Sequence, residues 1–162
     1  MNRILLVLLL FSAFLGGCSK SNDIAAQVKA QGVIDDKIVT DYLTSKGLPI
    51  NHVDTSGVCY IIDTVGTGND LIRSSTQVTL GYTGRLLTTG KVFAQTDQFH
   101  PTFVLGAVIR GWQLGIPKGK KGGTITLFIP SRYAYGPYAQ PQIGLPANAI
   151  LIFDIKIYDI IN

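Results

Sequence analysis

Apolar and polar positions alternate with a period of two over most of the chain beyond residue 57. The segment 149–160 shows this best, because Leu151, Phe153, Ile155 and Ile157 alternate with mostly polar positions. A period of two is that of a β-strand with one face buried and the other facing water. Similar runs predict strands over 58–62, 77–82, 91–93, 102–105, 123–129 and 149–160.

A helical period precedes these strands. Ile34, Ile38, Tyr42 and Leu43 fall at i, i+4, i+8 and i+9, which places them on one face of a helix. Gly47 follows at the position expected for a helix stop. The pattern predicts a short helix, which we interpret as a docking or spacer element because it is too short for a dimerising coiled coil.

Two acidic residues and a polar segment lie at the start of this predicted helix. Asp35 and Asp36 fall in its first turn, where negative charge complements the helix dipole. Residues 19–32 are polar without a sustained period, as in a flexible tether. A further helical turn is predicted over 109–115, within the β region. Together these elements predict an α+β fold: an antiparallel sheet with one short helix packed on it, preceded by a short N-terminal helix.

The first 18 residues have the pattern of a bacterial lipoprotein signal. Arg3 gives a basic start, Ile4 to Phe14 form an apolar run, and Leu15-Gly16-Gly17-Cys18 follows. Such a run is shorter than the ~20 apolar residues that a membrane-spanning helix needs. The motif resembles the lipobox, in which the cysteine is lipidated and becomes the mature N-terminus. We therefore expect a lipoprotein signal peptide over 1–17, a tether over 18–32, a helical extension over 33–56 and one domain over 57–162, with Cys18 as the lipidation site.

The chain lacks the usual groups of nucleophilic, acid–base or metal catalysis. His52 and His100 stand far apart, without cysteines or paired carboxylates at ligand spacing, so no metal site is expected. The net charge of +4 is too small to indicate nucleic acid as a partner. If Cys18 carries lipid, Cys59 is the single remaining cysteine, and its apolar neighbours predict a buried thiol without a disulfide. No cofactor is expected.

Aromatic side chains are the conspicuous feature of the β region. Its single tryptophan, Trp112, lies in the segment Arg110-Gly111-Trp112-Gln113-Leu114-Gly115. An indole between two glycines fits either ordinary core packing or the floor of a binding site. The residues alone leave both interpretations open.

Six short motifs occur in a specific order along the β region: Val78–Gly84, Gly90–Phe93, Phe103–Gly106, Val108–Trp112, Ile129–Gly136 and Leu145–Asp154. In order and spacing they resemble the FKBP family of peptidyl-prolyl isomerases, and the resemblance covers roughly residues 57–161. Together with the leader, it suggests the bacterial envelope lipoprotein form of the family. The resemblance implies a curved antiparallel sheet of five to six strands wrapped around one short helix, with an apolar pocket between them.

Matching motif positions also imply roles for individual residues. The residues implied as catalytic are Tyr82, Phe93, Trp112, Tyr135 and Phe153. The residues implied to bind substrate are Phe103, Val108, Ile109 and Leu145. Trp112 would form the floor of the pocket, and the Tyr135 hydroxyl would lie at its rim.

The activity implied by the resemblance is cis–trans isomerisation of Xaa-Pro bonds in exported proteins. Resonance opposes rotation about such a bond with a barrier of ~18–20 kcal/mol. An apolar pocket disfavours the polar planar amide relative to the twisted one, and a donor such as the Ile109 N–H or the Tyr135 hydroxyl holds the preceding carbonyl. This mechanism requires no nucleophile.

The sequence departs from the family pattern at the polar edge of the pocket. Most active members have aspartate directly after the pocket phenylalanine, where this chain has Ala94, and Asp97 is the nearest candidate to replace that carboxylate. Ala147 replaces a second pocket proline after Pro146. We therefore expect reduced activity and weakened binding of macrolide inhibitors. Two alternatives stay open: a non-catalytic chaperone or adaptor that binds proline-containing segments, and a purely structural envelope lipoprotein without an accessible pocket beside Trp112.

The expected partners are proline-containing polypeptides and a membrane, reached through the lipid on Cys18. Ser19, rather than aspartate, follows the cysteine, which favours the outer membrane over the inner one. We expect a monomer in the cell envelope, facing the periplasm rather than the exterior.

Overall fold

A computed structural model describes residues 19–162, so the predicted signal peptide and Cys18 lie outside the described residues. Within these residues, two α-helices and six strands follow one another, joined in places by single turns of 3₁₀ helix. The elements are α1 (Ser19–Ser45), β1 (Cys59–Thr64), β2 (Gln77–Leu86), β3 (Val92–Gln95), β4 (Thr102–Val104), α2 (Arg110–Gly115), β5 (Thr124–Ile129) and β6 (Leu151–Ile161).

All six strands belong to one antiparallel sheet in the order β1-β5-β6-β2-β3. Strand β4 pairs with the beginning of β2, and β3 pairs with its end. The long central strands β2 and β6 pair from Gln77 opposite Ile161 to Leu86 opposite Leu151, with one shift of register between Thr79 and Leu80. The predicted α+β fold, with a six-stranded antiparallel sheet and a short packed helix, is confirmed.

The inner face of the sheet forms the main core. The alternation that predicted β5 and β6 places Ile125, Leu127 and Ile129 beside Phe153 and Ile155 on this face, all nearly inaccessible to solvent. Helix α2 covers the face at very close range. A Cβ atom on Gly111 would lie 2.4 Å from Ile129 Cγ2, and one on Gly115 would lie 2.5 Å from Leu127 Cδ2. The two glycines therefore let the helix backbone rest directly on β5.

Helix α1 begins much earlier than the pattern predicted. It runs unbroken from Ser19 to Ser45, so the segment 19–32, expected to be a flexible tether, is helical. Because this segment contains neither proline nor glycine before Gly32, nothing in it interrupts helix propagation. The predicted stop is correct: Gly47 has φ +64°, and the Leu48 N–H donates to the Leu43 carbonyl at 2.9 Å.

The buried stripe of α1 also differs from the predicted one. It contains Asp35, Val39 and Leu43, whereas Ile34 is 53% exposed. Asp35 therefore lies within the packed face in the middle of the helix, and the prediction that it begins the helix is wrong. Val39 and Leu43 form a second core on the outer face of the sheet with five buried residues: Cys59, Leu87, Phe128, Ile150 and Ile152.

No helix among residues 19–162 is both long enough and apolar enough to cross a membrane. Within the same residues, no three histidine, cysteine or aspartate side chains lie close enough to hold a metal ion.

The contact between α2 and β5 predicts the effect of Gly111→Ala. Alanine normally stabilises a helix relative to glycine, but here the added methyl would collide with Ile129, so we expect the free energy of unfolding to fall by about 1–3 kcal/mol. Urea titration measures this change. Ile129→Ala removes the colliding atoms, so the double variant should lose less unfolding free energy than the two single variants together. If the two losses simply add, the proposed collision does not occur.

The α1 packing predicts a poorly reactive Cys59. Burial, reinforced by the negative charge of Asp36, raises the pKa of the Cys59 thiol to about 11 from 9.0. A shift of this size reduces the thiolate fraction at pH 8.5 by roughly 50- to 100-fold. We expect iodoacetamide to modify Cys59 more slowly in the folded protein than in urea by at least that factor, as measured by peptide mass spectrometry. The Cys59 thiol ionises at a lower pH in the unfolded chain than in the folded protein. The free energy of unfolding should therefore fall as pH rises from about 9 to about 11. Equal alkylation rates in both states would contradict this prediction.

Candidate active site

A mainly apolar cavity of 370 Å³ opens between α2 and the inner face of the sheet. Its walls come from β2, β3, β4, β6, the turn before α2 and the long loop after β5. The lining residues are Tyr82, Phe93, Ala94, Phe103, Ala107, Val108, Ile109, Trp112, Tyr135, Ile143 and Phe153. The fold thus brings together eight of the nine residues that the family motifs assigned to catalysis or substrate binding.

Trp112 lies at the centre of an aromatic cluster and is only 5% exposed. Its ring meets those of Tyr82, Phe103 and Phe153 at centroid distances of 5.0, 5.7 and 5.0 Å, with interplanar angles of 77°, 85° and 81°. Edge-to-face contacts of this kind hold each ring in one orientation. Its indole Nε1 is buried and has no hydrogen-bond partner within residues 19–162. Trp112 therefore belongs to the main core and also forms part of the cavity wall.

Two phenylalanines extend this cluster across the sheet. Phe93 and Phe153 are in edge-to-face contact at 5.6 Å and 82°. Gly84 of β2 lies beneath them, and a Cβ atom there would come within 2.7 Å of Phe153 and 2.8 Å of Phe93. The absent side chain lets both rings approach the β2 backbone closely. The apolar wall of the cavity is consequently rigid and closely packed.

Few polar groups border the cavity. Burial, followed by the neighbouring Tyr82, raises the pKa of Tyr135 above its ordinary value, which itself lies well above neutral pH. The phenol is therefore a hydrogen-bond donor. The Ile109 N–H precedes α2 and finds no acceptor in the described part of the chain. These two donors are the ones that the family resemblance implied.

Gln113 fixes the turn that presents Ile109, a role that the sequence did not reveal. Its Nε2 donates to the carbonyls of Val108 at 2.8 Å and Gly106 at 3.3 Å. Arg110 in turn donates to Gln113 Oε1 at 3.0 Å, which orients the amide. Because a glutamine one turn into a helix resembles any exposed polar residue, only the folded geometry exposes this clamp.

Among residues 19–162, no carboxylate lines the cavity. Ala94 occupies the wall opposite Gly84 in the β2–β3 pair. Asp97, the candidate replacement, borders a separate groove on the outer face of the sheet beside Thr96 and His100. The idea that Asp97 supplies the missing acceptor is therefore not supported by its position.

Leu145 is the one predicted site residue that lies elsewhere. It is 2% exposed and belongs to the main core, because its backbone pairs with Gln140 in a short bridge that closes the long loop. Ile143, from the 3₁₀ turn inside that bridge, contributes to the cavity instead, together with Ala107. The roles implied for the lining residues stay predictions.

The comparisons with known proteins agree with this arrangement. The family model for FKBP-type peptidyl-prolyl cis-trans isomerases matches residues 68–158, which is more than half of the chain. A similar solved structure is a peptidyl-prolyl cis-trans isomerase from Pseudomonas syringae pv. tomato, with 26% identity and a TM-score of 0.68 over 83% of this chain and 96% of that one. The crystal structure of FkpA from Escherichia coli matches at 29% identity and a TM-score of 0.68 over 85% of this chain and 64% of that one.

Proteins of the same family are also similar to this chain in sequence. FkpA of Buchnera aphidicola (Schizaphis graminum) is 40% identical over 67% of this chain, and a probable FKBP-type isomerase of Haemophilus influenzae is 35% identical over 88%. The chain spans only 42% and 56% of the lengths of these two proteins. FK506-binding protein 1 of Candida glabrata is 39% identical over 57% of this chain and 82% of its own length. With its six-stranded sheet, its aromatic cavity and these relatives, the chain belongs to the family of FKBP-type peptidyl-prolyl cis-trans isomerases.

Proposed function

We propose that the protein catalyses cis–trans isomerisation of Xaa-Pro bonds, with the aromatic cavity as its active site. The observation that supports this most directly is the cavity itself, in which Trp112, Tyr82, Phe93 and Phe153 form a closely packed apolar wall. A proline ring needs a flat apolar surface without hydrogen-bonding demands, and such a wall provides it. The catalytic and substrate-binding roles given above to the lining residues form part of this proposal.

The chemistry follows from the environment rather than from a reactive group. Planarity of the prolyl amide depends on charge separation between nitrogen and oxygen, which an apolar cavity disfavours. The cavity therefore binds the twisted amide better than the planar one, and this difference lowers the barrier. A reduction of about 4 kcal/mol would accelerate isomerisation roughly a thousandfold. No cofactor or metal enters this scheme.

Polar groups at the edge of the cavity hold the substrate while the prolyl bond rotates. The Ile109 N–H and the Tyr135 hydroxyl are two hydrogen-bond donors among the lining residues. One of them binds the carbonyl that precedes proline while the ring stays against Trp112. Since the turn before α2 is clamped by Gln113, the Ile109 donor is held in place before substrate arrives.

A second candidate function is binding without catalysis, as a chaperone or adaptor for proline-containing segments. Ala94 favours it, because the usual carboxylate at the cavity edge is missing. The third interpretation, a purely structural lipoprotein, predicted no accessible pocket beside Trp112, and the 370 Å³ cavity argues against it.

The cellular setting is proposed from the leader sequence. We infer that the lipoprotein signal over 1–17 is removed, that Cys18 carries lipid, and that the domain over 57–162 faces the periplasm from the outer membrane. Substrates would then be proline-containing segments of exported proteins. A monomer is expected, because the buried stripe of α1 packs on the chain's own sheet.

Replacing the floor of the cavity tests the proposed activity. In residues 19–162, Trp112→Ala should lower kcat/KM for a Leu-Pro peptide by at least about tenfold, because the apolar surface under the ring is lost. Protease-coupled isomerisation measures the rate. Phe99→Ala is the matched control, since this aromatic ring is 79% exposed and does not line the cavity.

The same assay separates the two candidate functions. Acceleration by the wild type and by Phe99→Ala, but not by Trp112→Ala, supports an isomerase. A folded wild-type domain that binds the peptide and leaves its isomerisation rate unchanged contradicts catalysis and favours the binding function.

Restoring the family carboxylate tests the meaning of Ala94. Ala94→Asp adds a carboxylate to a cavity edge that has none among the described residues, so we expect FK506 to bind about tenfold more tightly, equivalent to about 1.4 kcal/mol. Isothermal titration calorimetry measures the affinity. Ala107→Asp places the same charge at another point of the rim and should not improve binding. Equal gains in both variants, or none in either, would show that position 94 has no special role.

A further inference from the structure

Helix α1 presents one buried carboxylate to the domain that carries the cavity. Asp35 is 0% exposed, and its Oδ2 accepts hydrogen bonds from the Ser131 N–H at 2.8 Å and from the Ser131 hydroxyl at 2.5 Å. Its Oδ1 accepts from Gln31 Nε2 at 2.8 Å. Burying a carboxylate costs several kcal/mol unless donors surround it, and an apolar side chain fills such a helix position more cheaply. Packing alone therefore does not account for Asp35.

Ser131 connects this carboxylate to the cavity rim. The Ser131 carbonyl accepts hydrogen bonds from the Ala134 N–H at 2.9 Å and the Gly136 N–H at 2.8 Å, the residues on either side of Tyr135. Asp35 holds the N–H and the hydroxyl of the same serine. All the polar groups of Ser131 are thus engaged, with α1 on one side and the turn around Tyr135 on the other. Tyr135 lines the cavity from this turn.

Arg132 provides a second connection between α1 and the same segment. Its Nη2 lies 2.8 Å from both carboxylate oxygens of Asp36 and donates to the Ser56 carbonyl at 2.8 Å, while its Nη1 donates to the Gly32 carbonyl at 2.9 Å. A Cβ atom on Gly57 would lie 2.5 Å from Nη2. The guanidinium therefore occupies a space that exists only because this position is glycine.

The segment around Tyr135 has little regular structure of its own. A single 3₁₀ turn covers Ser131–Tyr133, and Gly136 then adopts φ +60°. The beginning of the 3₁₀ turn has no cap from its preceding residue, Pro130. The Asp35 carboxylate supplies that cap from a different element, 96 residues earlier in the chain.

We propose that Asp35 is a positioning residue for the isomerase site, acting through Ser131 to place Tyr135 at the rim of the cavity. The inference rests on the proposed function. It gives Asp35 a positioning role: through this carboxylate, α1 holds the loop that borders the substrate.

The test compares variants of the full-length chain in detergent, assayed well below their melting temperatures. Asp35→Ala removes the acceptor and should lower kcat/KM about five- to tenfold. Asp35→Asn should stay within about twofold of the wild type, because the amide oxygen still accepts both Ser131 donors. Val39→Ala is the matched control: it removes packing from the same buried stripe, leaves Ser131 held, and should lower the melting temperature without changing kcat/KM.

Each variant is also made together with Tyr135→Phe. If Asp35 acts by placing the Tyr135 hydroxyl, Asp35→Ala should cause little further loss in that background. A folded Asp35→Ala protein with wild-type kcat/KM would overturn the proposal, as would an equal loss with and without the hydroxyl. If Asp35→Ala does not fold, Ser131→Ala, which removes one of the two donors, takes its place under the same criteria.

Failure of the proposed function would look different. If the wild type does not accelerate isomerisation, that function is wrong, and the positioning role is then measured as the affinity for a Leu-Pro peptide, followed by Trp112 fluorescence. Asp35→Ala should weaken that affinity about five- to tenfold while Val39→Ala does not. Equal affinities for the wild type and Asp35→Ala would overturn the positioning role independently.

Discussion

The close contact between α2 and the inner face of the sheet is the constraint on which the rest of the structure depends. Gly111 and Gly115 have no side chains, so the helix backbone rests directly on Ile129 and Leu127. At this distance the Trp112 ring packs among the aromatic side chains of the sheet, and its edge-to-face contacts with them fix the orientation of the indole. The space left beside the indole is the cavity. One packing contact therefore produces both the core and the candidate site.

The outer face of the sheet is divided between packing and solvent. Helix α1 covers its apolar end, where Val39 and Leu43 meet Phe128 and Ile152. Beyond the helix, the outward positions of β5 and β6 become polar, and Thr126 donates to Asp154 at 3.1 Å. Ser131, directly beyond β5, links α1 to the loop that reaches the opposite face. Ser131 and its neighbour Arg132 thereby connect the two surfaces of the sheet.

The sequence predicted the parts of the fold that depend on local period. The alternation in β5 and β6 located both strands and their buried faces, because one side of the sheet is apolar along its whole length. The start of α1 was missed because residues 24–30 are largely exposed and carry no apolar stripe. Asp35 was assigned to a helix start because its true partner, Ser131, is close only in the folded chain.

The candidate site was predictable to a different degree. Period and composition did not decide whether Trp112 belongs to the core or to a binding site. In the structure it packs in the main core and also lines the cavity. Eight of the residues chosen from the order of family motifs line the cavity, whereas Leu145 lies in the main core and forms a bridge to Gln140. The clamp formed by Gln113 and the contribution of Ile143 depend on loop geometry that no local pattern encodes.

We infer that an apolar cavity without a lining carboxylate suffices to twist a prolyl amide. Exchange NMR on a Leu-Pro peptide, with the Trp112 indole N–H observed in the same sample, can test this inference in one experiment. We expect exchange peaks between cis and trans peptide within seconds, together with a shift of the indole resonance that titrates with peptide. A shifted indole resonance without such exchange peaks would contradict it, because the cavity would then bind proline without lowering the barrier.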